Sequence, residues 1–159
     1  MELLQKLNYK NQKSVVVIDA PSDLTQLVES FSNTLPVSFS IKTNELADFV
    51  VIFVQTKEDV QKHVGEVLPH VKPDALLWFA YPKKSSKKYR CTIDRDHGWE
   101  ALGARGYEPV RQIALDEDWS ALRFRPVHLI GRFTRSEEMV LSEQGKKRAW
   151  QKVDSVLDT

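Results

Sequence analysis

Lys83, Lys84, Ser85, Ser86, Arg90 and His97 fall within one short stretch and carry the groups that would hold an oxyanion. Ammonium and guanidinium groups supply charge, and hydroxyls supply short neutral donors. The segment from Tyr81 to Trp99 holds six Lys or Arg and two Asp, a local charge of +4 in a chain whose formal total is only +1. Positive charge is therefore concentrated here, and the rest of the chain is slightly acidic. The chemistry this suggests is capture of a small anionic ligand or an acidic protein surface. The competing reading is a solvated lysine-rich loop, because lysine runs are common on surfaces.

Conventional catalysis finds little support. Ser85 or Ser86 would need a base such as His97 within hydrogen-bond reach, and no GxSxG turn presents either serine. His63 is expected on an exposed helix face, His70 near a helix end and His128 in a late extended segment. Asp94, Asp96 and His97 carry metal-capable atoms, but Asp94 or Asp96 acting as a helix cap explains the aspartates more simply. Arg90 and Lys88 stand close enough to Cys91 in sequence to lower its thiol pKa, yet no base accompanies it. The turn after the first strand reads Asp19-Ala20-Pro21-Ser22-Asp23, without the glycines of GxGxxG, and no GxxxxGK[ST] is present. A standard nucleotide cofactor is thus not expected, nor is a metal. Tyr81, Tyr89 and Trp99 offer stacking surfaces for nucleic acid, but no recognisable module accompanies them, so this is the less favoured partner.

These residues need a scaffold, and the spacing of apolar residues supplies one. Val15–Ile18, Phe49–Val54 and Ala75–Tyr81 are continuous apolar runs, as expected of strands buried on both faces. Val37, Phe39 and Ile41 alternate with polar residues, which suits an edge strand. Helices are expected after Ser22 or Asp23, after Thr56, and from Asp96 to about Arg105 with Gly106 as its stop. Val110–Leu115 and Ala121–Phe124 form a hairpin pattern around the acidic turn Asp116-Glu117-Asp118. That turn is placed to pair with the basic loop instead of an external anion. Val127–Phe133 reads as one more extended segment. The expected fold is α/β: a Rossmann-like three-layer sandwich with a mainly parallel sheet and a C-terminal antiparallel hairpin. Residues 1–135 make one domain. Residues 136–159 make an amphipathic helical tail, with Trp150, Val153 and Leu157 as its stripe, packed on that domain.

The segments DALLWFAYPKKSS, TIDRD and IALDEDWSALRF, between Asp74 and Phe124, resemble an uncharacterised bacterial family of small domains of unknown function. The resemblance implies no catalytic residues. In topology the chain is similar in outline to a shortened class I methyltransferase, which implies a divergent methyltransferase-like enzyme as the alternative to a binding domain. With one cysteine no internal disulfide can form, no apolar run is long enough to span a bilayer, and a cytoplasmic setting is expected.

Overall fold

A computed structural model of the chain describes residues 3–42 and 44–130. The expected tail of residues 136–159, and the end of the Val127–Phe133 segment, lie outside the described residues. The elements in order are α1 (Leu3–Lys6), β1 (Val15–Ile18), α2 (Thr25–Ser32), β2 (Val37–Ser38), β3 (Ala47–Phe53), α3 (Lys57–Val67), β4 (Val71–Pro82), α4 (Glu100–Gly103), β5 (Tyr107–Ala114) and β6 (Trp119–Pro126). Short 3-10 turns follow α3 and β6.

The six strands form one sheet in the order β2-β1-β3-β4-β6-β5. β1 pairs in parallel with β2 and β3, and β3 pairs in parallel with β4. β6 runs antiparallel to both β4 and β5, so β5 points the same way as β4. The three apolar runs are thus adjacent and parallel. The alternating segment is an edge, as expected, but only Val37 and Ser38 pair there. The chain leaves the sheet at Phe39, which is 64% exposed.

Helices cover both faces, giving three layers. On one face Val60, Val64 and Val67 of α3 and Leu102 of α4 pack on Val50, Ile52, Leu77, Phe79, Leu122 and Phe124. On the other face Leu4 and Leu7, with Leu24 and Phe31, pack on Val15, Val17, Phe49, Val51, Trp78 and Ala121. The Trp78 indole donates to the Leu7 carbonyl at 3.1 Å, which ties the N-terminal turn to the sheet. Burial of each such large apolar side chain stabilises the fold by roughly 1.5–3 kcal/mol.

Val127–Leu129 is a 3-10 turn and not the start of the expected extended segment. Three further details depart from the sequence reading, each for a local reason. α2 begins at Thr25 with Leu24 at its N-cap and no side-chain cap, because Asp23 is drawn into other contacts. β4 starts before Pro73 instead of after it. Its register with β3 shifts between the Ala47–Val71 and Phe49–Leu76 pairs, and that irregularity accommodates a residue with no N–H to give. α4 is a single turn from Glu100, not a helix from Asp96. Gly98 takes φ +104, and a β-carbon there would lie 2.1 Å from Ile93 Cγ2, so the chain between Asp94 and Trp99 cannot be helical. α3 behaves as expected: Thr56 accepts from the Asp59 N–H at 3.0 Å and Asp59 accepts from the Thr56 N–H at 3.2 Å, a closed capping box.

Candidate functional site

The carboxyl ends of β1, β3, β4 and β5 lie along one edge of the sheet, where ligands of open α/β sheets bind. The basic loop after β4 runs along this edge and passes from one face to the other. It leaves β4 with the Lys83 N–H donating to the Asp118 carbonyl at 2.7 Å. Ser86 Oγ then donates to the Asp118 carboxylate at 2.8 Å and accepts from the Tyr89 N–H at 3.1 Å. Tyr89 packs on Trp119 with ring centroids 5.0 Å apart, and its hydroxyl donates to Asp23. Lys88 pairs with the same Asp23. Lys88 and Tyr89 together hold the Asp23 carboxyl below the usual carboxylate range. Over the end of β3, Gln55 donates to the Arg90 carbonyl and accepts from the Thr92 N–H, which fixes the crossing point.

The acidic turn and the basic loop therefore share an edge, as their strand directions require. The contact between them is made by the Lys83 main chain and the Ser86 hydroxyl, while the lysine charges go to aspartates elsewhere. Lys88 goes to Asp23, and Lys84 Nζ lies 3.3 Å from Asp94. Trp119 supplies the packing beneath the turn.

On the α3 side of the edge, a polar pocket of about 280 Å³ opens between the end of β4 and the start of β6. Tyr81, Lys83, Lys84, Arg95, Gln112 and Ser120 line it, together with Asp94 and Asp96. Two of the sequence-derived candidates, Lys83 and Lys84, come together there. Ser85, Ser86, Arg90 and His97 do not line it. Ser86 and the Arg90 carbonyl anchor the loop. His97 Nδ1 lies 2.9 Å from Asp94, whose carboxylate also accepts from the Asp96 N–H at 2.8 Å. Asp94 thus closes a local turn instead of capping a helix. Burial raises its pKa, but the bonds from His97, the Asp96 main chain and Lys84 outweigh that and bring it down to about 2. Lys83 and Arg95 form no ion pair with a described residue.

Sequence reading missed Gln112 and the role of Tyr81, because strand pairing alone brings them together. Gln112 Nε2 donates to the Tyr81 hydroxyl at 2.7 Å. Burial pushes the Tyr81 phenol up to about 12, so it stays protonated at neutral pH and keeps its own O–H to give. The pocket thereby holds two cations not committed to a described carboxylate and one neutral donor held in place.

His63 corrects the expectation of an exposed helix face: it is buried at 4% exposure. It follows Val60 by three residues and precedes Val67 by four, so the apolar spacing itself puts it on the inner face. Its Nε2 lies 2.7 Å from the Asp19 carboxylate, and its Nδ1 is buried without a partner among the described residues. Asp19, at the end of β1, has φ +59, a left-handed conformation that Asp tolerates better than most residues. Cys91 is the inert thiol expected of a lone cysteine without a base. Burial pushes its thiol up, and Sγ rests against the Ile93 and Pro82 carbonyls, so it is not an activated nucleophile. Among the described residues no group of three or more His, Cys, Asp or Glu is arranged to hold a metal ion. No described helix is long and apolar enough to cross a membrane.

Two further cavities flank the sheet. One of about 450 Å³ lies at the carboxyl end of β1, lined by Asp19, Pro21, Leu24, Val28 and Phe39 among others. A larger one, about 560 Å³, opens at the amino ends of β1, β2 and β3, near Lys13, Pro36, Asp48 and Lys72. Its position is on the wrong edge for the ligand rule of parallel sheets, so its size does not make it the site.

No family model matches the chain, and no curated protein matches it. Among solved structures it is similar to a protein of the NADB-Rossmann superfamily from Streptococcus agalactiae, at 11% identity, TM-score 0.46, covering 97% of this chain and 83% of that one. It is also similar to an N-methyltransferase from Bradyrhizobium japonicum, at 11% identity, TM-score 0.49, covering 77% and 92%. A tRNA methyltransferase from B. subtilis matches at 13% identity, TM-score 0.47, covering 99% and 83%. The chain is Rossmann-like by its own strand order, with a reversed strand set between β4 and β5.

Proposed function

We propose that this domain, in a cytoplasmic setting, binds a small anion of the phosphate or carboxylate class in the pocket at the carboxyl end of β4. Lys83, Lys84 and Arg95 supply the charge, and the Tyr81 hydroxyl, held by Gln112, supplies a neutral donor. Ser86, Arg90 and His97 act by shaping the loop around the pocket, and Ser85 remains exposed on its rim. The observation that carries this reading is the convergence of Lys83 and Arg95, neither paired with a described carboxylate, on a pocket that also holds a fixed tyrosine hydroxyl. Charge-assisted bonds of this kind are roughly twice as strong as neutral ones.

Titration of inorganic phosphate into the parent and into Lys83→Ala/Lys84→Ala at low salt, read at the Gln112 side-chain amide by nuclear magnetic resonance, tests the reading. The double variant is expected to bind about tenfold or more weakly, a loss of about 1.4 kcal/mol or more. The difference is expected to shrink as salt screens the exposed charges. Equal affinity at low salt would remove the lysines from the site.

A divergent methyltransferase-like enzyme is the second reading. The reversed strand between β4 and β5 supports it, together with the cavity at the carboxyl end of β1, where the apolar ring of Phe39 and the Asp19 carboxylate are both at hand. The residues fit an adenosyl methyl donor only in part. Space and the left-handed turn at Asp19 suit it, but the turn lacks glycine, and both of its carboxylates are engaged by His63 and by Lys88 with Tyr89. Titration with S-adenosylmethionine separates the two readings. Saturable binding that is lost in Phe39→Ala would favour the enzyme.

A further inference from the structure

On the opposite face of the sheet from the pocket, β5 and β6 bring three arginines together. Arg111 and Arg123 are direct cross-strand partners, and Arg125 lies two residues further along β6. Alternation along both strands places all three on the face that carries Trp78, Trp119, Ala121 and Ile113. Directly opposite residues of an antiparallel pair have Cα atoms about 4.5–5.5 Å apart, and two residues along a strand span about 7 Å. The three guanidinium stems thus rise from one compact patch.

This patch is costly to the isolated fold. Like charges directly opposite each other destabilise a sheet. None of the three arginines forms an ion pair with a described residue. The Nε atoms of Arg123 and Arg125 are buried and have no hydrogen-bond partner among the described residues. Glu108 is the cross-strand partner of Arg125 and is fully buried, so one carboxylate also lies beside the patch. Burial lowers the Arg123 pKa, and repulsion from Arg125 and Arg111 lowers it further. A half-buried guanidinium set against two others is the arrangement expected where a ligand supplies the missing negative charge.

The geometry points to a second anion site on the β5–β6 face, in which Arg111, Arg123 and Arg125 together grip the oxygens of one phosphate group. A compact group of three planar donor forks suits a single tetrahedral, multiply charged group, which one carboxylate would not satisfy. That phosphate has two sources, a small phosphorylated molecule or the backbone of a single-stranded nucleic acid. The site stands apart from the Lys83 pocket, since Gln112 and Ser120 of that pocket point to the other face of the same two strands.

Nuclear magnetic resonance of the arginine Nε–H groups in the full chain tests it, with inorganic phosphate in one titration and oligouridylate in another. Phosphate is expected to move the Arg123 and Arg125 signals saturably in the parent and in Lys83→Ala/Lys84→Ala alike. Arg123→Gln is expected to weaken phosphate binding about tenfold or more, as for one lost charge-assisted bond. Arg111→Gln, at an exposed position, carries the same test should the first variant fail to fold. If oligouridylate moves the same signals at lower concentration than phosphate, the source is nucleic acid; if only phosphate moves them, it is a small molecule. Failure of both ligands to move the Arg123 and Arg125 signals, or parental phosphate affinity in a folded variant, would overturn the site.

Discussion

Asp94 is held in the folded chain by His97, the Asp96 main chain and Lys84, and its pKa falls to about 2. A carboxyl whose folded pKa lies below its unfolded value adds stability above the unfolded value and loses it as pH falls toward the folded one. Stability is therefore expected to decline between about pH 4 and pH 2 in part through Asp94. Asp94→Asn is expected to be less stable at neutral pH and to show a shallower decline in that window. Denaturant unfolding at stepped pH measures both, and parallel curves for the two proteins would show that Asp94 is not the titrating group. At this scale the sequence made Lys83 and Lys84 visible, because charge density is a local property. It left Gln112 and Arg95 without a role, because their convergence on Tyr81 depends on strand register and on a loop path. His63 was misread even though its signal was present, since its distances from Val60 and Val67 already fixed its face.

The elements with a clean period were legible. β1 and the buried parts of β3 and β4 are continuous apolar runs, and α3 opens with Thr56 and Asp59 at capping-box spacing. What misled was the segment between Asp94 and Arg105, where two apolar residues three apart suggested a full helix. The left-handed Gly98 and its contact with Ile93 reduce that helix to one turn and leave the preceding residues to form the pocket wall. Gly98→Ala must either clash with Ile93 or abandon the turn. It is expected to lower stability by at least about 1–2 kcal/mol, the cost of a left-handed non-glycine residue alone. The same change is expected to broaden or shift the signals of Asp94, Arg95 and His97. A variant as stable as the parent would mean that this turn is not the obligatory shape of the loop.

For the whole molecule, alternation of strands and helices pointed to a parallel sheet, and the hairpin pattern pointed to its antiparallel end. The insertion of β6 between β4 and β5 was not legible, since which strands become neighbours is a property of pairings far apart in sequence. That insertion puts the acidic turn beside the basic loop and sets Gln112 against Tyr81. It also leaves the two cationic groups on opposite faces of the sheet, Lys83 at the carboxyl end of β4 and Arg123 level with Trp78 within it. Backbone amide spectra of the uniformly labelled parent, titrated with inorganic phosphate at low salt, test whether the pocket at the carboxyl end of β4 holds an anion. Saturable shifts are expected at Lys83, Lys84, Arg95 and the Gln112 side-chain amide, all fitting one dissociation constant. Shifts that stay linear with phosphate and spread over Lys57, Lys62 and Lys87 as much as over the pocket would rule out a specific anion site there.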